Sequence, residues 1–396
     1  MIDRWRNMGR NTRIVVIALM LWGIGEGLWL YIQPLYLSSL GVSAEETGFI
    51  LSASGLARLA IMVPAGLLAD RYGARNVMIP GWMLGALAVI VLAAATNTYL
   101  LALGFFLYGA SALSIPITNV YMVQSIQADS TVTRQHTPQE ILTFVYGLYW
   151  LSQIISPALG GLIGQLASLR AVFWISAFWF CLSTVAVWQT TSYPTPPPER
   201  FKRRIEQYRS LLSQKHLVVL YGLFTLGFIA TILGFTFAPQ YLEDAHGLSR
   251  GAIGVLGSAL AGGSFFWNIT MGRYRAWTGF LGSISLTALS FVLLLVSGHV
   301  IVFVLSYFLL GSYETLRPIA TGIVAAQTET NTQGVAFSLV DTLHGASSFV
   351  AAALAGVLYA TNNTTPFIVA VVLVPVIYLA TYSVASRMQV VEASAD

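Results

Sequence analysis

Apolar residues run along this chain in long stretches, without the two-residue alternation of a half-buried strand or the narrow stripe of a soluble surface helix. Twelve stretches stand out, at residues 14–37, 47–69, 76–96, 99–123, 139–166, 171–191, 217–242, 250–272, 277–297, 299–325, 333–359 and 364–385. A helix needs about 20 mostly apolar residues to cross the hydrocarbon core of a bilayer. Within lipid the backbone must satisfy its own hydrogen bonds, so each stretch is predicted as a helix. Most polar segments between them are short. The clearest linker is residues 192–215, where the prolines of SYPTPPPER stop the sixth stretch and a basic run follows. The pattern predicts an N-terminal six-helix bundle (1–191), a linker (192–215) and a C-terminal six-helix bundle (216–396). A short amphipathic helix lying on the membrane is expected from Phe201 to Leu212.

Composition agrees with lipid as the solvent. Apolar residues make up 56% of the chain and charged residues 9%, whereas soluble domains are about a quarter charged. The net charge of +4 does not point to nucleic acid, because the basic residues sit in short inter-helix segments. With the N-terminus inside, Arg4, Arg6, Arg10, Arg13, Arg71, Arg75, Arg273, Arg275 and the basic run of the linker are cytoplasmic, and only Arg170 and Arg250 fall outside. The chain therefore reads as an all-α, multi-pass protein of the cell membrane with both termini cytoplasmic. The first apolar stretch is too long for a signal-peptide core and is read as a retained span. Cys181, in an apolar helix, is read as a packing residue.

The two halves repeat. Pro34-Leu35-Tyr36-Leu37 followed by Gly41-Val42-Ser43 returns as Pro239-Gln240-Tyr241-Leu242 followed by Gly247-Leu248-Ser249. Gly109 and Pro116 return as Gly311 and Pro318, and Ala158-Leu159-Gly160-Gly161 as Ala353-Leu354-Ala355-Gly356. Six helices, a basic linker and six similar helices make a parallel repeat about an axis along the membrane normal.

Between the second and third stretches stands GLLADRYGAR, Gly66 to Arg75. It resembles the G-x-L-x-D-R-x-G-R signature loop of the major facilitator superfamily. Gly66, Asp70, Arg71 and Gly73 occupy signature positions, and Arg75 stands one residue past the final Arg position. The resemblance implies twelve transmembrane helices in two pseudo-symmetric bundles and secondary transport of a small molecule. It implies no cofactor and no metal, with a monomer as the functional unit. Asp70 paired with Arg71, Arg75 or a helix N-terminus would latch one conformation; alternatively the arginines serve only as topology anchors. The matching loop of the second half, Met271 to Arg275, keeps its basic residues and lacks the Asp. The segment SQIISPALGG, Ser152 to Gly161, is similar to a motif of proton-coupled antiporters in the superfamily, though tight packing alone accounts for it equally well. Drug:proton antiporters often carry an Arg four residues before a Gly in the fourth helix. If that Gly is Gly109, the position is Phe105, which leaves the direction of transport open.

Ionisable residues within membrane spans are costly and are functional candidates for that reason. There are six: Glu26, Arg58, Glu314, Arg317, Asp341 and His344. At 1.5 Å rise per residue, Glu26 and Arg58 lie about 18–19 Å from the cytoplasmic ends of sequential antiparallel helices and are placed to pair. In the tenth and eleventh stretches, Glu314 and His344 share a depth of about 16–17 Å, and Arg317 and Asp341 one of about 12 Å. Spacing of three puts each pair of residues on one helix face, which predicts Glu314 with His344 and Arg317 with Asp341. Such a cluster serves either reversible protonation or substrate binding, or else a fixed ion-pair network. The repeat places Asp341 and His344 opposite Tyr146 and Tyr149. The C-terminal half is therefore expected to carry ion coupling, while Tyr146, Tyr149 and Trp150 line a substrate cavity. Glu26, in the Gly-rich run Gly23 to Gly27, is also expected at the site. Gln33, Asn119, Gln153, Gln240 and Asn268 are further candidates for the lining.

No Walker loop or H-E-x-x-H occurs, and the one G-x-S-x-G match, Gly247-Leu248-Ser249-Arg250-Gly251, lies between two apolar stretches and not at a strand-to-helix turn, so ATP-driven transport and the commoner hydrolase chemistries have no motif in its required context. The expected partners are a small solute, protons and the bilayer, with efflux slightly favoured. Uptake of a metabolite and a non-transporting receptor on the same fold remain alternatives.

Overall fold

The computed structural model describes residues 5, 8–128, 138–194, 201–329 and 332–393. Every regular element among them is a helix. In the first half these are α1 (Arg10–Leu30), α2 (Gln33–Ser39), α3 (Ala44–Tyr72), α4 (Ala74–Ala94), α5 (Thr98–Ser111), α6 (Ser114–Ala128), α7 (Pro138–Leu166) and α8 (Leu169–Trp188). An amphipathic helix, α9 (Phe201–Ser213), follows. The second half holds α10 (Lys215–Thr236), α11 (Ala238–His246), α12 (Arg250–Met271), α13 (Ala276–Val296), α14 (Val300–Leu310), α15 (Leu316–Ala326), α16 (Gln333–Thr361) and α17 (Thr365–Ala393). A 3₁₀ turn at Gly311–Thr315 joins α14 to α15. Among the described residues, ten helical stretches are long and apolar enough to cross a membrane, counting α5–α6, α10–α11 and α14–α15 as single kinked rods. The 29-residue helices α3 and α7 pack among them.

Proline sets the kinks, and the repeat sets them in matching places. Proline lacks an N–H and its ring clashes with the preceding turn. The first rod breaks at Tyr31–Ile32, just before Pro34. Its counterpart breaks at Phe237, just before Pro239. The α5–α6 break precedes Pro116, and the 3₁₀ turn precedes Pro318. Glycines at equivalent positions bring backbones together: Gly109 lies against Ser54 of α3, and Gly311 against Gly263 and Ser264 of α12.

The apolar core is shared at one end and divided at the other. One cluster takes residues from both halves, from Leu28–Leu37 and Phe173 to Leu233–Leu242, Leu256 and Ala351–Tyr359. At the end where the chain begins, each half has its own cluster, Val15 to Val187 in one and Leu211 to Ile377 in the other. The join is made by two helix pairs, α3 with α16 and α7 with α12. A Cβ added to Gly254 would lie 2.8 Å from the Gly161 Cα, and one added to Gly48 would lie 2.6 Å from the Gly356 Cα. These backbones meet because neither partner has a side chain.

Helix α9 packs against α10 and α16 at the divided end. Leu211 is buried there, and Tyr208 and Ser338 share a hydrogen bond of 2.6 Å between hydroxyls. Cys181 is exposed on α8 and is not the packing residue the sequence suggests.

Candidate functional site

The divided end opens into a cavity of about 1390 Å³ between the halves. All six ionisable residues of the spans line it, as do Gln33, Asn119, Tyr146, Tyr149, Trp150, Gln153 and Asn268. Gln240 does not: it is buried outside the cavity, with its carbonyl oxygen unpaired.

Glu26 sits on α1 and is buried. Its run of glycines explains how: Gly23 lies against Ser152 and Tyr149, and Gly27 against Ser156 and Gln153, so α1 packs close on α7. The Tyr108 hydroxyl donates to Oε1, and the Tyr149 hydroxyl to Oε2. Gln153 Nε2 donates to Oε2 at 2.9 Å and lies 3.0 Å from the Tyr149 hydroxyl. The Trp22 indole also interacts with the carboxylate. Among the described residues no basic side chain forms an ion pair with Glu26, and Arg58 acts on it only electrostatically, from beyond contact. The pairing of Glu26 with Arg58 expected from depth alone is thus replaced by a cage of neutral donors. Hydrogen bonds to a charged group contribute about 1.5–3 kcal/mol each.

In the other wall, Arg317 Nη1 bonds to Asp341 Oδ1 at 3.0 Å, as the spacing predicts. The second predicted pair does not form. His344 Nδ1 lies 3.5 Å from Arg58 Nη1, a contact that crosses between the halves. Its ring also meets Phe228 edge-on, with centroids 5.1 Å apart. Glu314 makes no ion pair within 4 Å among the described residues. His344 is engaged by Arg58 and Phe228 instead, while Glu314 lies in the 3₁₀ turn beside Tyr313.

Tyr146 donates to Asn119 Oδ1 at 2.6 Å, and Trp150 packs edge-on against Tyr149. Tyr108 was not singled out by sequence reasoning. Neither were the aromatics at the closed end of the cavity, Tyr31, Phe235 and Tyr313. A tyrosine within an apolar stretch carries no signal until the fold shows what it faces.

The signature-like loop lies away from the cavity. Gly73 joins α3 to α4 at φ 85°, a conformation that suits glycine. Arg75 donates to the Thr190 and Trp188 carbonyls at 2.7 and 2.9 Å, capping the end of α8. Arg71 lies over the Tyr72 ring, 5.3 Å from its centroid. Gly66 lies within α3, and the Asp70 side chain lies outside the described residues.

The profile described as Major Facilitator Superfamily matches residues 14–312. The chain belongs to the major facilitator superfamily. It is similar to the Quinolone resistance protein NorA of Staphylococcus aureus (strain MRSA252), 21% identical over 382 residues that cover 92% of this chain and 94% of NorA. It is also similar to the Proton-coupled antiporter flippase LtaA of Staphylococcus haemolyticus (strain JCSC1435), 22% identical over 404 residues, with 96% of each chain covered. Among solved structures, a point mutant of the nucleoside transporter NupG superposes with a TM-score of 0.81 at 14% identity, covering 95% of this chain and 99% of that one. As a member of this superfamily the protein is a multi-pass transporter of the cell membrane and not an enzyme.

Proposed function

We propose that this superfamily member is a proton-coupled secondary transporter that moves a small organic solute by alternating access, with efflux favoured over uptake. The observation that carries this reading is the Glu26 cage: a carboxylate on the cavity wall, with no ion-pair partner among the described residues, held by two phenols and an amide. A phenol donates or accepts. The cage therefore satisfies Glu26 ionised, accepting three bonds, or protonated, donating to one phenol oxygen, without any heavy atom moving far. Glu26 is the proton carrier in this reading. Arg317 and Asp341 neutralise each other, which turns the expectation from the C-terminal half to the N-terminal half. The name of LtaA, a proton-coupled antiporter, supports proton coupling, and the quinolone resistance named for NorA fits removal of a small organic compound.

In the same reading the chain has twelve spans, with α3 and α7 completing the ten, and both termini are cytoplasmic. Bundles 1–191 and 216–396, joined by the linker, rock about the cavity in a functional monomer. The arrangement described above is then the inward-open state, closed outside by the glycine contacts.

The test uses proteoliposomes under an imposed proton gradient, with a fluorescent quinolone and ethidium as probes. Wild type moves a probe against its gradient. Glu26→Gln loses gradient-driven movement and keeps probe exchange at equilibrium. Gradient-driven movement by Glu26→Gln would overturn the assignment of Glu26. Movement of neither probe by wild type would favour the receptor alternative.

A further inference from the structure

The closed end of the cavity brings together three helix breaks. Tyr31 lies at the end of α1, Phe235 in the last turn of α10, and Tyr313 in the 3₁₀ turn beside Glu314. The Phe235 and Tyr313 rings stack at 5.1 Å with an interplanar angle of 26°. Tyr31 meets Phe235 edge-on at 6.5 Å and 77°. All four side chains line the cavity. Tyr31 interacts electrostatically with Glu314, and the Tyr313 and Glu314 side chains interact with each other.

Asp341 holds Arg317 in an ion pair, and Arg58 contacts the His344 ring without a carboxylate within 4 Å among the described residues. Glu26 is closed in by its cage and buried. Glu314 alone among these carboxylates is partly exposed and without an ion pair among the described residues. Arg317 lies close enough to act on it electrostatically, but bonds to Asp341. Aromatic rings on the same cavity wall as a carboxylate suit a cation, because the face of a ring and the carboxylate attract the same charge. An anionic group at that spot would meet the Glu314 carboxylate at close range, with Arg317 bonded to Asp341.

We propose that Glu314, with Tyr31, Phe235 and Tyr313, is the recognition subsite for a monovalent organic cation whose charge adjoins an aromatic or apolar group. This deepens the transport reading and rests on it: Glu26 takes the proton, and Glu314 takes the charged head of the solute. The two carboxylates sit on opposite halves, so proton and solute occupy different groups of the same cavity.

The test is equilibrium binding to the purified full-length transporter in detergent, without any gradient. The probes are N-methyl-phenylpyridinium and its neutral parent phenylpyridine, at mildly alkaline pH. Wild type binds the cation at least about tenfold more tightly than the neutral compound. Glu314→Gln brings the two affinities within about twofold of each other, and Glu314→Asp keeps part of the preference. Phe235→Leu weakens cation binding several-fold without lowering the thermal unfolding temperature. Glu329→Gln, outside the cavity, retains the full preference; its loss there would assign the effect to net charge and overturn the subsite. Equal affinities in wild type, an undiminished preference in Glu314→Gln, or no binding of the cation to wild type would each overturn it as well. Loss of gradient-driven flux with the cation preference intact would sink the proton-coupling reading alone.

Discussion

Glu26 is bonded in a way that tolerates either charge state, and each member of its cage has a distinct task. The Tyr149 hydroxyl reaches both Glu26 and Gln153, so Tyr149→Phe removes two links at once. The bond to the charged carboxylate is worth about 1.5–3 kcal/mol, and about 1.4 kcal/mol corresponds to a factor of ten, so Tyr149→Phe is expected to lower gradient-driven flux at least about tenfold in proteoliposomes. Equilibrium exchange should change less. The Arg317–Asp341 pair is partly open to the cavity, and its contribution to stability is screened. Removing one partner leaves a charge alone, whereas removing both does not. Arg317→Met is therefore expected to lower the unfolding temperature more than Arg317→Met with Asp341→Leu, as differential scanning fluorimetry would show. Much of the charged constellation was legible in the sequence, because an ionised group in an apolar run stands out. Its partners were less legible. Tyr108, which completes the Glu26 cage, is one aromatic among many, and only the packing of α5 beside α1 gives it meaning. Depth along a helix predicts Arg317 with Asp341, where both helices are regular. It fails for Glu314, because depth does not show that His344 meets Arg58 from the other half.

At the scale of elements, the repeated Pro and Gly positions already contain the kinks and close approaches. The sequence match of Pro34 with Pro239 and of Pro116 with Pro318 becomes matching breaks, because a missing N–H acts the same way in either half. Which helices meet across the halves was not legible, since the glycines of α3, α7, α12 and α16 show no partner until the bundle forms. Those contacts hold the cavity closed at its far end. A Cβ on Gly161 or Gly254 would strike the other's backbone, and overpacking of this kind costs about 1–3 kcal/mol. Gly161→Val with Gly254→Val is expected to shift the population toward an outside-open state by about ten- to a hundredfold. In a Cys181→Ser background, a Tyr31→Cys substitution would report this as faster labelling by a membrane-impermeant thiol reagent added outside. Helix α9 is tied more lightly: loss of the Tyr208–Ser338 bond in Tyr208→Phe should cost about 0.5–1.5 kcal/mol of stability.

At the scale of the whole molecule, one core shared by the halves and two separate ones surround a cavity with a polar lining. The shared core joins the two halves at one end, and at the other each half has its own packing beside the open cavity. A carrier needs that division, because an element that moves as a unit must keep its own packing. Glu26 and Glu314 line the same cavity from different halves, one caged and one partly exposed. Solute movement through this cavity is proposed to exchange for protons. The most direct measurement is internal pH in proteoliposomes loaded with a pH-sensitive dye, with no proton gradient imposed, after N-methyl-phenylpyridinium is added outside. Wild type should raise the internal pH as the cation enters and protons leave, and Glu26→Gln should leave it unchanged. Entry of the cation through wild type with no change in internal pH would contradict the account.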